Sequence, residues 1–282
     1  MLRRLKLIFT VHRELLFHLA LKNLKIQYKY AFLGFLWAFF VPLCMALVFW
    51  FLFSFMFQRP TAPLSIVTAL FVWQFMNMSI TGSTTSIIDN SGILKKIYFP
   101  REIIPISVVF SNFINFLFSI VVLIVFVLGY NLFTGVTPLL PLEILFLPAI
   151  IALTLILTIG LVLVTSCLQV FYRDVRYIVE VVLLVWFYMS GVFYDIDLIG
   201  PRAEARGMTW VVKVFMINPA YDLFTMYRTA ILPSSVPGMV VDVNRYYPSW
   251  LMVAQTVVIS VALLIFAYGM FVKREKELVD FI

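Results

Sequence analysis

Few residues in this chain have the types and spacing that chemistry needs. The 2 histidines, His12 and His18, lack a third ligand type nearby, so they make a poor metal site. The 2 cysteines, Cys44 and Cys167, fall in separate apolar runs and read as inert buried thiols rather than a disulfide or a metal pair. A phosphate-cradling loop must end in Gly-Lys followed by Ser or Thr, and Gly-Lys never occurs. His-Glu-x-x-His and Gly-x-Ser-x-Gly are absent as well. Glu102 and Asp174, which would be candidates for holding a metal or acting as a base, stand singly beside arginines. Glu180 is the main acid inside an apolar run. Arg176 lies one helical turn before it, the spacing of an i,i+4 ion pair. No catalytic or metal residue is therefore expected. Proton-driven transport usually places charges in mid-membrane, and their scarcity argues that any driving energy comes from elsewhere.

What this sequence must position is membrane helices. Of its 282 residues, 63% are hydrophobic and 12% charged, against about 45–50% apolar and 25% charged in a soluble domain. Mean hydropathy is +1.04. A spanning helix needs about 20 apolar residues. Six runs are read as spans: 33–57, 63–86, 103–130, 144–171, 177–194 and 250–272. The second is weakened by Gln74, Asn77 and a Ser/Thr-rich end. None alternates in polarity as a barrel strand would, so an all-α membrane protein is expected. The first run begins near Leu33, too late and too long for a cleaved signal peptide. The expected organisation is a surface helix over 1–30 and a six-span domain over 31–282.

Fifteen of the 21 Lys and Arg residues fall before span 1, between spans 2 and 3, between spans 4 and 5, and after span 6. The positive-inside rule then puts both termini in the cytoplasm. The other six are Arg59, Arg202, Arg206, Lys213, Arg228 and Arg245.

Three pieces outside the spans stand out. In 1–30, Glu14, His18, Lys22, Lys25 and Lys29 recur at helical spacing while Leu15, Leu16, Leu19, Leu24 and Ile26 take other faces. This reads as a basic amphipathic helix on the cytoplasmic surface, either a plain anchor to anionic lipid or part of a gate. Residues 89–102, DNSGILKKIYFPRE, form a compact loop in which Asp89, Asn90 or Ser91 caps a short helix and Pro100 ends it. It is either a connecting turn or a docking helix. The long segment 196–248 holds two apolar stretches, 208–217 and 220–232, separated by Asn218-Pro219. Each is too short to span, so each is re-entrant, interfacial or buried.

Ser107, Ser111, Asn115 and Ser119 make an i,i+4 stripe on span 3 that is read as helix-packing glue. The aromatics Trp37, Trp50, Trp73, Trp186, Tyr188 and Tyr194 are either belt anchors or faces over which sugar rings slide.

Four segments resemble one family. QYKYAFLGFLWAFFVPL (27–43) resembles the start of the first span in permeases of type-2 ABC exporters, in the branch that moves O-antigen, capsule and teichoic-acid polymers. NSGILKKIYFPREIIPIS (90–107) and FYRDVRYI (171–178) resemble its two cytoplasmic loops, and INPAYDLFTMYRTAIL (217–232) its outer re-entrant segment. The resemblance runs along essentially the whole chain, in order.

The resemblance implies a six-span permease that pairs with itself and with two copies of a separate ATPase, which would carry the ATP and Mg. It implies no cofactor in this chain and no nucleic-acid partner. It assigns ATPase coupling to Gly92, Ile93, Leu94, Lys95, Lys96, Ile97, Tyr98, Arg101 and Glu102. Lys25 and Lys29 would attract the headgroup of a polyprenyl-diphosphate-linked glycan among the membrane lipids. Trp37, Trp186, Tyr188 and Tyr194 would line the glycan channel at the dimer axis. Asn218, Pro219, Tyr221, Tyr227 and Arg228 would form an outer gate. The expected location is the bacterial inner membrane. The competing readings are an ABC exporter of a drug or simple lipid, a membrane glycosyltransferase, disfavoured by its missing acids, and an ion channel, disfavoured by the lack of a filter or charged ring.

Overall fold

A computed structural model of the chain describes residues 13–27, 29, 33–37, 40–41, 43–44, 47–48, 51, 55, 63–95, 99–134, 140–193, 205–232, 250–275 and 277. Every regular element among them is helical. In chain order the α-helices are α1 (Arg13–Gln27), α2 (Pro63–Thr84), α3 (Ser86–Asp89), α4 (Ser91–Leu94), α5 (Ile103–Thr134), α6 (Leu147–Phe171), α7 (Val175–Met189), α8 (Thr209–Ile217), α9 (Pro219–Ile231) and α10 (Trp250–Arg274). A 3₁₀ turn, Leu142–Phe146, leads into α6.

Local chemistry sets these boundaries. Proline stands in the first turn of α2, α5, α6 and α9 (Pro63, Pro105, Pro148 and Pro219), where its missing N–H leaves no helical bond unmade. Gly191, at φ 67°, takes the left-handed conformation that ends α7. Hydroxyls within the apolar helices bond back to their own backbone. Thr68 donates to the Leu64 carbonyl at 2.7 Å, Thr154 to Ile150 at 2.8 Å and Thr158 to Thr154 at 2.7 Å. This satisfies them where no water can.

Among the described residues, four stretches are long and apolar enough to cross a membrane: Leu64–Thr84, Ile103–Gly129, Leu142–Phe171 and Trp250–Arg274. They match four of the expected spans. α7, at 15 residues, is about 22 Å long, short of the roughly 30 Å hydrocarbon core. About half of the expected first span, 33–57, and Tyr194 lie outside the described residues.

α2 is the centre of the bundle, with 78% of its apolar stretch buried by protein, against 17% for α10. It packs on α5, α6, α7 and α9, while α10 lies along α6. Gly160 sets that last contact, since a Cβ there would meet Leu263 Cγ at 3.1 Å and the Leu264 nitrogen at 3.2 Å. A small residue lets the two backbones approach.

Two apolar clusters result. The larger joins α2, α5, α6, α7 and α9 through residues such as Phe71, Phe116, Leu157, Phe187, Phe224 and Tyr227. The smaller sits where α1, the 89–102 loop, the start of α5 and the ends of α6 and α10 meet, around Leu16, Phe99, Ile103, Cys167, Tyr268 and Phe271.

α1 is more than a surface element. Leu16 and Ala20 are buried, and the helix packs along α5. Asn23 Nδ2 donates to Ser107 Oγ at 3.3 Å, and Asn115 Nδ2 donates to Gln27 Oε1 at 3.1 Å. Two members of the small-polar stripe on α5 therefore glue α1 to the bundle.

Candidate functional site

The residues singled out by the sequence fall into three places. The first is the loop between α2 and α5. It contains two single turns, α3 and α4, rather than one longer capped helix. Asn90 precedes α4 at φ −105°, ψ 18°, outside the extended region a capping residue adopts, and makes no side-chain cap bond. Its amide donates instead to the Ser86 carbonyl at 2.8 Å, and its Oδ1 accepts from Lys22 Nζ at 3.4 Å. Gly92 and Lys95 are exposed, whereas Ile93 and Leu94 are half-buried against the smaller cluster. Lys96, Ile97 and Tyr98 lie outside the described residues.

Arg101 and Glu102 differ from the rest of the loop. Arg101 donates to the Glu275 backbone carbonyl just beyond α10. Glu102 is 1% exposed, and its Oε1 accepts from the Tyr268 hydroxyl at 3.4 Å. Both side chains turn inward and tie the loop to α10. Lys25 on α1 and Lys29 just beyond it are exposed. Arg176 and Glu180 on α7 form the expected ion pair at 3.5 Å, with both side chains about half exposed.

The second place is the opposite end of the bundle, where α9 is buried along almost its whole length. Asn218 caps α9 by accepting from the Ala220 N–H at 3.1 Å. The same Oδ1 accepts from Trp186 Nε1 at 2.8 Å, and the Asn218 amide donates to the Met189 carbonyl at 3.0 Å. Arg228 is 5% exposed. It donates to the carbonyls of Ser65 at 3.2 Å, Gly191 at 3.0 Å and Val192 at 2.8 Å. Tyr227 shares a 3.1 Å hydrogen bond with Thr154, and Thr256 on α10 donates to Asp222 Oδ2 at 2.7 Å. Burial pushes the Asp222 carboxyl up to about 6, with the Thr256 hydrogen bond opposing. Pro219 begins α9, and Tyr221 packs edge-on against Phe215 with ring centroids 6.4 Å apart.

The aromatics named as channel-lining are not brought together. Trp186 is held by Asn218 and stands edge-to-face with Trp73 at 5.7 Å. Tyr188 is exposed on α7, and Trp37 is 49% exposed in the first apolar run.

Trp37 leads to the third place, a cavity of about 280 Å³ lined by Gln27, Trp37, Phe71, Gln74, Asn112 and Asn115 among others. Asn115 and Ser119 were noticed as packing residues. Gln27, Gln74 and Asn112 were not singled out as a site. The signal available was amides inside or beside apolar runs, where unpaired polar groups are expensive.

The chain as a whole has relatives among known proteins. The family model described as ABC-2 type transporter matches residues 14–232. The chain is 32% identical over 217 residues to an O-antigen export system permease protein RfbA of Klebsiella pneumoniae, covering 76% of this chain and 79% of that one. A protein of the same name from Myxococcus xanthus is 29% identical over 228 residues, 80% of this chain and 83% of its own length. A second Klebsiella pneumoniae RfbA is 31% identical over 217 residues. The match runs from the docked helix α1 through the last residue of the polar-stapled end. With that extent and these relatives, this apolar helical bundle belongs to the ABC-2 type transporter family.

Proposed function

We propose that this chain is the permease subunit of an ATP-driven exporter, moving a polysaccharide linked to a polyprenyl diphosphate across the bacterial inner membrane. ATP and Mg would be bound by a separate ATPase, two copies of which would serve a homodimer of this chain. Residues 33–57 and α7 would complete six spans with the four long helices. Both termini and the 89–102 loop would face the cytoplasm, with α8 and α9 re-entrant at the outer face. Relatives named as O-antigen export permeases support this class of cargo.

The observation that carries the reading is the build of the loop. It offers a turn with Gly92 and Lys95 exposed, while its two flanks are fastened to different helices. Lys22 reaches Asn90 from α1. Arg101 and Glu102 are fastened at the end of α10, and the Ile106 N–H of α5 donates to the Glu102 carbonyl at 3.2 Å. A push on the exposed turn would therefore reach α1, α5 and α10 together. Lys25 and Lys29 would attract the diphosphate at the inner leaflet, each contributing about 1 kcal/mol.

Two measurements test this. Deleting the gene should leave the polysaccharide inside the cell and absent from its surface; unchanged surface polysaccharide overturns the reading. The pair Lys95→Glu and Lys96→Glu should weaken co-purification of the ATPase, and an intact complex sinks the coupling assignment.

A further inference from the structure

The cavity bordered by α1, Trp37, α2 and α5 sets uncharged amides beside aromatic faces, more polar groups than the Asn115–Gln27 packing contact uses. Among the described residues its polar lining is uncharged: Gln27, Gln74, Asn112, Asn115 and Ser119. Its apolar lining is largely aromatic, with Trp37, Phe71, Phe75 and Phe116. Asn112 and Asn115 stand nine and twelve residues past Ile103, which puts them about 14–18 Å along α5. That is mid-depth for a hydrocarbon core of about 30 Å. Gln74 lies ten residues before the other end of its own helix, at a matching height.

Amides at that depth need partners, and among the described residues one amide oxygen here has none. Asn112 is 7% exposed and lines the cavity. Asn115 is 6% exposed; its Nδ2 is used by Gln27, while its Oδ1 has no partner among the described residues. An unsatisfied buried amide oxygen is costly, so the Asn115 Oδ1 in the wall of a cavity points to a ligand that satisfies it.

The chemistry of that ligand follows from the lining. With no Lys or Arg among the described lining residues, the cavity does not suit a phosphate or diphosphate. Amides that both donate and accept, set beside aromatic faces, suit vicinal hydroxyls on a ring with apolar C–H faces. The volume, about 280 Å³, is at the small end of ligand sites, enough for one ring rather than several. We infer that this cavity is a binding subsite for a single uncharged sugar ring, with Asn112, Asn115 and Gln74 bonding its hydroxyls and Trp37 covering a face. The inference rests on the polysaccharide-export reading only for the origin of the ring.

The full-length chain in lipid nanodiscs should show a saturable, millimolar change in Trp37 fluorescence on titration with methyl glucoside or methyl mannoside. Subtracting the Trp37→Phe variant isolates that signal from the 6 tryptophans. Asn112→Leu should weaken the response by about tenfold, the scale of one good hydrogen bond, and Asn112→Gln should retain part of it. In cells, Asn112→Leu should lower surface polysaccharide while leaving the amount of inserted protein and the bound ATPase unchanged. Asn23→Ala, which loses only a helix-packing contact, should do neither. No Trp37-dependent signal, or a signal unaffected by Asn112→Leu, overturns the subsite.

The outcomes separate from those of the broader reading. Sugar binding that persists while gene deletion leaves export intact overturns the export role and keeps the subsite. Export lost on deletion but untouched by Asn112→Leu, with no sugar signal, does the reverse. A response already present in nanodiscs containing a neutral glucolipid, without added sugar, supports the same chemistry with a lipid headgroup as the source.

Discussion

The two ends of the bundle are built on different principles. At the α9 end, buried polar side chains fix the backbone. Arg228 holds three carbonyls from the start of α2 and the turn after α7, Asn218 clamps α7 to α9, and Tyr227 and Asp222 pin α9 to α6 and α10. At the loop end, apolar contacts around Phe99, Ile103 and Phe271 dominate. The side-chain hydrogen bonds there include long ones, 3.3–3.4 Å for Asn23–Ser107, Lys22–Asn90 and Tyr268–Glu102. Directional bonds in a dry environment fix one geometry, whereas helices packed on apolar faces can slide slightly at low cost. A permease that receives force at the loop needs the pliable end there. The staples tie α9 to α2, α6, α7 and α10, so on the proposed reading an outer opening would not come from unhinging α9.

Arg228→Leu should have the largest effect, because it leaves three buried carbonyls without their donor. The expected loss is about 3–5 kcal/mol, the scale of breaking a buried charged network, read as a large drop in thermal stability in detergent. Arg228→Lys keeps the charge but loses the planar fork, so it should recover only part. An Arg228→Leu protein of normal stability would remove the main support for a rigid α9 end. Gly160→Ala comes next, at roughly 1–3 kcal/mol. The added Cβ meets backbone as well as a side chain, so α6 and α10 must move apart.

The contrast between the ends explains how much was legible in the sequence. α2, α5, α6 and α10 were readable because apolar runs of this length have few alternatives in lipid. The Arg176–Glu180 pair was readable because its spacing is local. The staples were not, since Arg228 bonds residues 36, 37 and 163 positions away and no local pattern reports such contacts. Of the three residues offered as a cap, Asp89, Asn90 and Ser91, it is Asn90 that precedes α4, and it makes no cap bond; its Oδ1 accepts instead from Lys22, 68 residues earlier. Glu102 looked like a surface acid beside an arginine, and only the packing of Tyr268 shows it facing inward. The cavity amides were visible as residues but invisible as a cluster, because α1, α2 and α5 must first be assembled.

Asp222 offers a smaller effect with a defined sign. The single hydroxyl hydrogen of Thr256 faces both Asp222 Oδ2 at 2.7 Å and the Met252 carbonyl at 3.0 Å. A protonated Asp222 resolves this, donating to Thr256, which then donates to Met252. With the carboxyl raised from 3.8 to about 6 in the folded chain, the folded state holds a proton that the unfolded state has already lost. Stability should therefore fall as pH rises from about 4 to 6 and level off above. Asp222→Asn reproduces the neutral form, so it should abolish that slope and raise Tm at pH 7 by about 2–4 °C, for roughly 1 kcal/mol. An unchanged slope would show that Asp222 is ionised as built.

Lys22→Ala should have the smallest effect on stability, and that is its use. The Lys22–Asn90 bond is exposed and long, worth at most about 0.5–1 kcal/mol. α1 remains docked through Leu16, Ala20, Asn23 and Gln27. Tm should shift by only a degree or two, with α1 still protected from protease. If the loop works by pulling on α1, the same variant should reduce surface polysaccharide per ATP hydrolysed, because one of the loop's fastenings is gone while the fold is not. A drop in Tm approaching that of Arg228→Leu would mean that the loop end is as rigidly stapled as the α9 end, and the division of labour between them would have to be abandoned.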